Sequence, residues 1–278
     1  MSATATTPRS AAGAAHGDRP AVTLARVLRS EWTKLWSLRS TRWSLLAAVI
    51  AQAGLGLLIA AVTMSRWDNL GPGERAHFNA IDRSLGGYHL AQLAIGVLGV
   101  LVISGEYSTG SIHSSVMAVP RRLPLLWAKL IIFGTVAFVL MAIASLIAFF
   151  GAQAIFTEHH VNVGLGSPDA LRALVGTVLY LTVTGILCTG LGALIRTTAG
   201  GISAFVVLLF VLSGIVDILP SSIANDISPY LPGNAGTVVL AAHPDPTMLS
   251  PWGGFALYCG YAALAVGVAA YLLLRRDA

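Results

Sequence analysis

Charge is scarce in this chain. Only 10% of its 278 residues are Asp, Glu, Lys or Arg, against about 25% in ordinary soluble proteins. With 55% hydrophobic residues and a mean hydropathy of +0.76, a soluble fold would lack the polar surface to cover its own core. The solvent expected for most of the chain is therefore lipid. Cysteine is scarce too: Cys188 and Cys259 both lie in apolar runs, which excludes a disulfide framework and a cysteine-based metal site. Lysine numbers two, Lys34 and Lys129, against 15 arginines. No Gly-x-x-x-x-Gly-Lys-Ser/Thr run occurs, so the chain has no P-loop to cradle ATP phosphates. A net charge of +5 would suit nucleic acid, but the placement of the charges argues for a membrane instead, with no nucleic-acid partner.

Long gaps separate the charges. None occurs in 43–65, 84–105, 130–157, 173–195, 197–216 or 246–274, and each gap is long enough for one helix across a hydrocarbon core about 30 Å thick, which needs about 20 residues. The sequence predicts an all-α polytopic membrane protein with six transmembrane helices, at about 43–65, 86–104, 130–156, 173–195, 198–217 and 252–274. Continuous runs such as Leu130 to Phe150 do not alternate, which excludes a transmembrane β-barrel. A seventh charge-free stretch, 227–244, carries Pro229, Pro232, Asn234 and Pro244 and reads as an ordered loop or a short re-entrant element at the surface.

Thirteen of the 17 basic residues fall on one side of this topology. They lie in residues 1–42, between spans 2 and 3 (Arg121, Arg122, Lys129), at Arg196 and in the tail. By the positive-inside rule both termini are cytoplasmic. This bias, with attraction to anionic lipid, accounts for the high pI. The excess of Arg over Lys, with abundant Ala and Gly, suggests a high-G+C bacterial genome, and hence the plasma membrane of a bacterium. Residues 1–20 read as a disordered tail without the apolar core of a signal peptide.

Two elements on the basic side carry information beyond topology. Residues 21–42 read as an amphipathic interfacial helix, followed by the transmembrane domain over 43–278. Leu24, Val27, Leu28, Leu35 and Leu38 form its apolar stripe, while Trp32, Trp36 and Trp43 favour the headgroup layer. Glu31 projects near the centre of that stripe. Two readings stay open: it pairs with Lys34 or Arg39 at the wet edge, or the stripe is covered by protein and Glu31 meets a basic partner group. The second element is the loop between spans 2 and 3. Thr109 caps a short helix there that ends before Pro120, with Ile112 and Val116 one turn apart.

Ser30-Glu-Trp-Thr-Lys-Leu before span 1, and Glu106-Tyr-Ser-Thr-Gly-Ser-Ile followed by Ala118-Val-Pro-Arg-Arg after span 2, resemble the corresponding segments of bacterial type-2 ABC exporter permeases. The six-span layout is similar as well, so the resemblance extends over everything after residue 20. It implies a permease subunit without its own ATP site, moving an unidentified substrate outward by alternating access. It also implies a separate ABC ATPase subunit as partner and a second permease copy, most simply as a homodimer. On matching positions, Glu31 and Lys34 belong to the first ATPase-coupling element, and Glu106, Gly110, Ser111 and Ile112 to the second. Segment 220–251 would be an external cap.

No catalytic, cofactor or metal site assembles from the sequence. Ser213-Gly214 in span 5 is a candidate nucleophile turn, but His89, near the end of span 2, is the only histidine in an apolar span to serve it. Five histidines fall on the less basic side, where the adjacent His159 and His160 cannot converge on a metal as i, i+4 histidines would. Gln52, Gln92, Gln153, Thr182, Thr184 and Thr189 read as interhelical hydrogen bonders. Gly185, Gly190, Gly192, Gly200 and Gly201 read as close-packing positions, and Asp217 as reaching external water. Two other classes remain open: an ATP-independent channel or secondary transporter, and a non-transporting membrane scaffold or immunity protein.

Overall fold

The computed structural model describes residues 24–108, 122–216 and 218–275. The chain is an all-α polytopic membrane protein, with no strand among the described residues. Six helical segments are long and apolar enough to cross a bilayer. An amphipathic helix, α1 (Leu24–Ser37), comes first, and span 1 is α2 (Arg39–Ser65). A corner with two short helices follows, α3 (Pro72–Ala76) and α4 (Ala80–Leu85), before α5 (Tyr88–Ser108) completes span 2. Span 3 is α6 (Arg122–Phe156) and span 4 is α7 (Pro168–Ile195). Span 5 is built from α8 (Thr198–Val206), a π-helical segment Val207–Val211, and α9 (Leu212–Val216). Helices α10 (Ser221–Ile227) and α11 (Pro232–Thr237) lead to span 6, α12 (Pro251–Arg275). Six crossings put both ends of the bundle on one face, called here the terminal face.

Spans 1, 3 and 4, of 27, 35 and 28 residues, run longer than their charge-free gaps. At 1.5 Å per residue the 35 residues of α6 extend about 52 Å, well past the hydrocarbon core, so its first turns stand at the membrane surface and carry Lys129. The amphipathic helix stops at Ser37. Leu38 is extended (φ −82°, ψ 118°), so Arg39–Arg42 form the first turn of span 1 and do not belong to the interfacial helix. Phe138, Val139, Ile143, Leu146, Ile147 and Phe150 lie on α6 with their side chains exposed. An apolar patch of this extent is tolerated where lipid covers it.

Span 4 is the hub, with 67% of its apolar window buried against 22% for span 5. Small residues allow its close contacts. A Cβ on Gly99 would fall 2.5 Å from the Gly185 carbonyl oxygen, so α5 and α7 meet backbone to backbone. Gly190 and Gly192 lie against α12 and α5, and Gly201 against Val100. Gly200, by contrast, faces Ile195 and Thr197 beside its own helix start.

The stretch 227–244 is ordered and sinks deeper than a surface element. Gly236 of α11 lies against the rings of Tyr180 and Tyr258 in the buried core. Gly233 sits on the Leu209 carbonyl within the π-helical segment of span 5. A π turn releases a carbonyl from the regular ladder, and it is here that the re-entrant backbone approaches. Arg172 holds the end of this segment by donating from Nη2 to the carbonyls of Ala241 and Ala242, both at 2.9 Å. Asp82 accepts from the Ala242 amide at 3.0 Å.

Candidate functional site: a buried charge cluster on the terminal face

Val27, Glu31 and Leu35 recur every fourth residue and so share one face of α1. Val27 packs on Leu125 and Ala128 of α6, and Leu35 on Leu45, Leu98, Phe133 and Val136. Glu31, between them, is pressed into the bundle and is 4% exposed. Trp32 and Trp36 point the other way and are exposed, where their rings suit the headgroup layer. Protein therefore covers Val27, Glu31 and Leu35, while Leu38, past the end of α1, is 57% exposed, and what Glu31 meets decides between its two readings.

It meets the chain's two lysines. Lys129 Nζ donates to Glu31 Oε2 at 2.8 Å and to Glu106 Oε1 at 3.0 Å. Lys34 Nζ donates to Glu31 Oε1 at 2.7 Å and to Glu106 Oε1 at 3.2 Å. Lys34 is the partner the sequence proposes, whereas Arg39 is exposed at the start of α2. Lys129 is only 6% exposed. Two carboxylates and two ammonium groups thus close into a neutral ring joining α1, the end of α5 and the start of α6. Neutrality is what permits the burial, because an isolated charge would be too costly to desolvate.

Burial alone would push the Glu31 carboxyl up. Lys129 and then Lys34, by charge and hydrogen bond, outweigh it and hold Glu31 below its ordinary 4.5. For Lys34 burial acts downward, but Glu31 and Glu106 raise it above its ordinary 10.5. One atom of the ring stands apart: Glu106 Oε2 is buried and accepts no hydrogen bond among the described residues. A buried acceptor left so costs about 1–3 kcal/mol.

The end of α5 is anchored on its other sides too. Ser104 Oγ and Thr198 Oγ1 share a hydrogen bond of 2.9 Å. The Arg196 guanidinium lies 5.3 Å from the centre of the Tyr107 ring, a cation–π distance. Arg196 closes α7 in the left-handed conformation, φ 62°, which turns its side chain back over α5. The last described turn of α5 is consequently tied to α1, α6, α7 and α8, immediately before residues 109–121.

Of the residues expected in the two coupling elements, Glu31, Lys34 and Glu106 come together. Gly110, Ser111 and Ile112 lie outside the described residues, as does Asp217. Lys129, which sequence reasoning uses only to mark topology, proves central. The available signal was one of only two lysines, set between Ala128 and Leu130, in a chain with 15 arginines.

A cavity of about 430 Å³ opens beside the cluster, between the α1–α2 elbow, α5 and α6. On the opposite face a second cavity, about 390 Å³, is lined by Asp82, Tyr88, His89, His243 and Asp245 among apolar residues. His243 Nδ1 accepts from Asn79 at 2.9 Å, and no group of three metal-ligating side chains converges among the described residues. His89 Nδ1 faces the Gly86 carbonyl at 3.0 Å and Ser213 Oγ the Leu209 carbonyl at 3.5 Å, so these two are not partnered as base and nucleophile.

The intramembrane polar residues divide. Gln92 accepts from Tyr180, Gln153 donates to Ser84 at 3.0 Å, and Thr184 shares a bond with Tyr258 at 2.8 Å, all between helices. Thr182 and Thr189 instead donate to carbonyls one turn back in their own helix, the ordinary local solution for a hydroxyl in a helix. Gln52, fully buried, has no hydrogen-bond partner among the described residues. Comparison with protein-family models and with curated proteins finds no match.

Proposed function

We propose that this chain is the membrane-embedded permease subunit of an ATP-driven exporter, and that the terminal face is cytoplasmic and receives separate ATPase subunits. The observation that carries the reading is the ring of Glu31, Lys34, Glu106 and Lys129. The two segments that resemble coupling elements of type-2 ABC exporter permeases, far apart in sequence, share one buried ion cluster. A push on residues 109–121 passes through the last turn of α5 into that ring. From there it reaches α1 and span 3 together, because interfaces of this kind shift between discrete arrangements more readily than they bend. Transport by alternating access would follow from such a coupled tilt in two copies of the chain, with the substrate path between them. The placement of 13 of 17 basic residues on this face supports the orientation.

The test begins with the tagged chain purified in mild detergent from its own cell, with mass spectrometry of what accompanies it. A stoichiometric P-loop ATPase is the expected companion. In that complex, Glu106→Gln should lower permease-stimulated ATP hydrolysis by about tenfold, equivalent to about 1.4 kcal/mol, while the subunits still copurify. Reproducible absence of any ATPase, with the six-span protein intact, would sink the reading.

A further inference from the structure

The cavity beside the ion ring is two-natured. Its upper wall carries Glu31, Lys34, Glu106 and Lys129, and the rest is largely apolar, with Leu98, Leu101, Val102 and Ile132. Glu106 is the first charge after the span 2 gap and Lys129 the last before the span 3 gap. The charges therefore sit at the edge of the hydrocarbon, and the apolar wall runs below it. An occupant must have a polar end at headgroup level and an apolar end in the acyl region, which describes a membrane lipid. At about 430 Å³ the space falls in the ordinary range for small-molecule sites, about 300–1,000 Å³.

The charges narrow the headgroup. The ring is neutral, so it offers no net attraction to an anionic lipid. Its unmet demand is a donor for Glu106 Oε2, which is closed to water and is reached from the cavity only as the Glu106 carboxylate, part of the cavity wall, turns toward it; Lys34, 39% exposed, stands at the rim. We propose that this cavity binds a phospholipid with a primary ammonium headgroup. The ammonium donates an N–H to Glu106 Oε2, the phosphate lies toward Lys34, and one acyl chain lies along Leu98, Leu101 and Val102. A choline headgroup carries the same charges but has no N–H, so it cannot satisfy the carboxylate oxygen. The site is a property of this chain and holds whether or not an ATPase partner exists.

The test uses the intact chain in mild detergent, with equal amounts of dioleoyl phosphatidylethanolamine, phosphatidylcholine and phosphatidylglycerol, read by native mass spectrometry. One ethanolamine lipid is expected per chain, retained about tenfold over the other two, as one charge-assisted hydrogen bond implies. Glu106→Gln should remove that preference. Leu101→Trp, which fills the cavity and leaves every charge in place, should remove the retained lipid itself. Thermal unfolding identifies a variant that fails to fold, and either variant alone suffices. Equal retention of the three lipids, as loose annular lipid would give, overturns the proposal. So does retention unchanged in folded Leu101→Trp, or a preference for the glycerol or choline lipid.

Discussion

Lys129 shows how much one side chain depends on its partners. It is buried between two carboxylates, so truncating it leaves both to share Lys34 and strands one net negative charge in a protein interior. Lys129→Met should destabilise the folded protein by about 3–5 kcal/mol, read as a fall in midpoint temperature in detergent. Replacing Glu31, Glu106 and Lys129 together by apolar residues of similar size should recover most of that loss, since a buried ion network contributes little beyond its own desolvation. The pH dependence follows from the two displaced groups. Glu31 is held below 4.5, so its contribution is complete above that value and is lost as pH falls through the lower folded-state pKa. Lys34 is held above 10.5, so its contribution is complete below that value and is lost as pH rises through the higher one. Docking of α1, followed by Trp32 and Trp36 fluorescence, should therefore be flat from about pH 5 to pH 10 and weaken on acidification beyond it. Gln52 is the opposite case. Its amide has no partner among the described residues, so Gln52→Met should leave stability unchanged or raise it by about 1–2 kcal/mol, the desolvation penalty removed.

Among the elements, α5 and α7 depend on having no side chain at their crossing. Gly99→Ala places a methyl 2.5 Å from the Gly185 carbonyl oxygen, and the backbone cannot turn aside as a side chain could. A cost of about 1–3 kcal/mol is expected, with the Ser104–Thr198 contact disturbed one turn further on. The extent of each element follows less directly from the sequence. Charge-free gaps mark the part of a helix that lipid requires, and α6 continues beyond its gap because α1 packs over its first turns and buries Lys129. The re-entrant α11 is legible only as a proline-rich stretch poor in charge. Its depth depends on Gly236 and Gly233 meeting Tyr180, Tyr258 and Leu209, residues that belong to three other helices.

For the molecule as a whole, the testable consequence is topological. Gly73 lies in the corner between spans 1 and 2 with open space around it, on the face opposite the chain ends. In a variant with Cys188 and Cys259 replaced, Gly73→Cys should react with a membrane-impermeant maleimide in intact cells. A cysteine at Ser37 should react only after lysis. The reverse pattern would overturn the cytoplasmic assignment of the terminal face and with it the site for an ATPase.

What the sequence by itself determined is the bilayer, the number of crossings and the apolar stripe of α1. These follow from desolvation, which acts on each segment separately: a continuously apolar run of about 20 residues is a membrane-spanning segment whatever its neighbours are. The tertiary structure alone decided that Lys129 joins Lys34 at Glu31, which acceptor is left over on Glu106, and that a cavity lies beside them. Glu31 and Lys129 are 98 residues apart, Lys34 and Glu106 72. Charge pairing is a matter of a few ångströms between side chains, and only the packing of α1 across α5 and α6 brings those atoms within that distance.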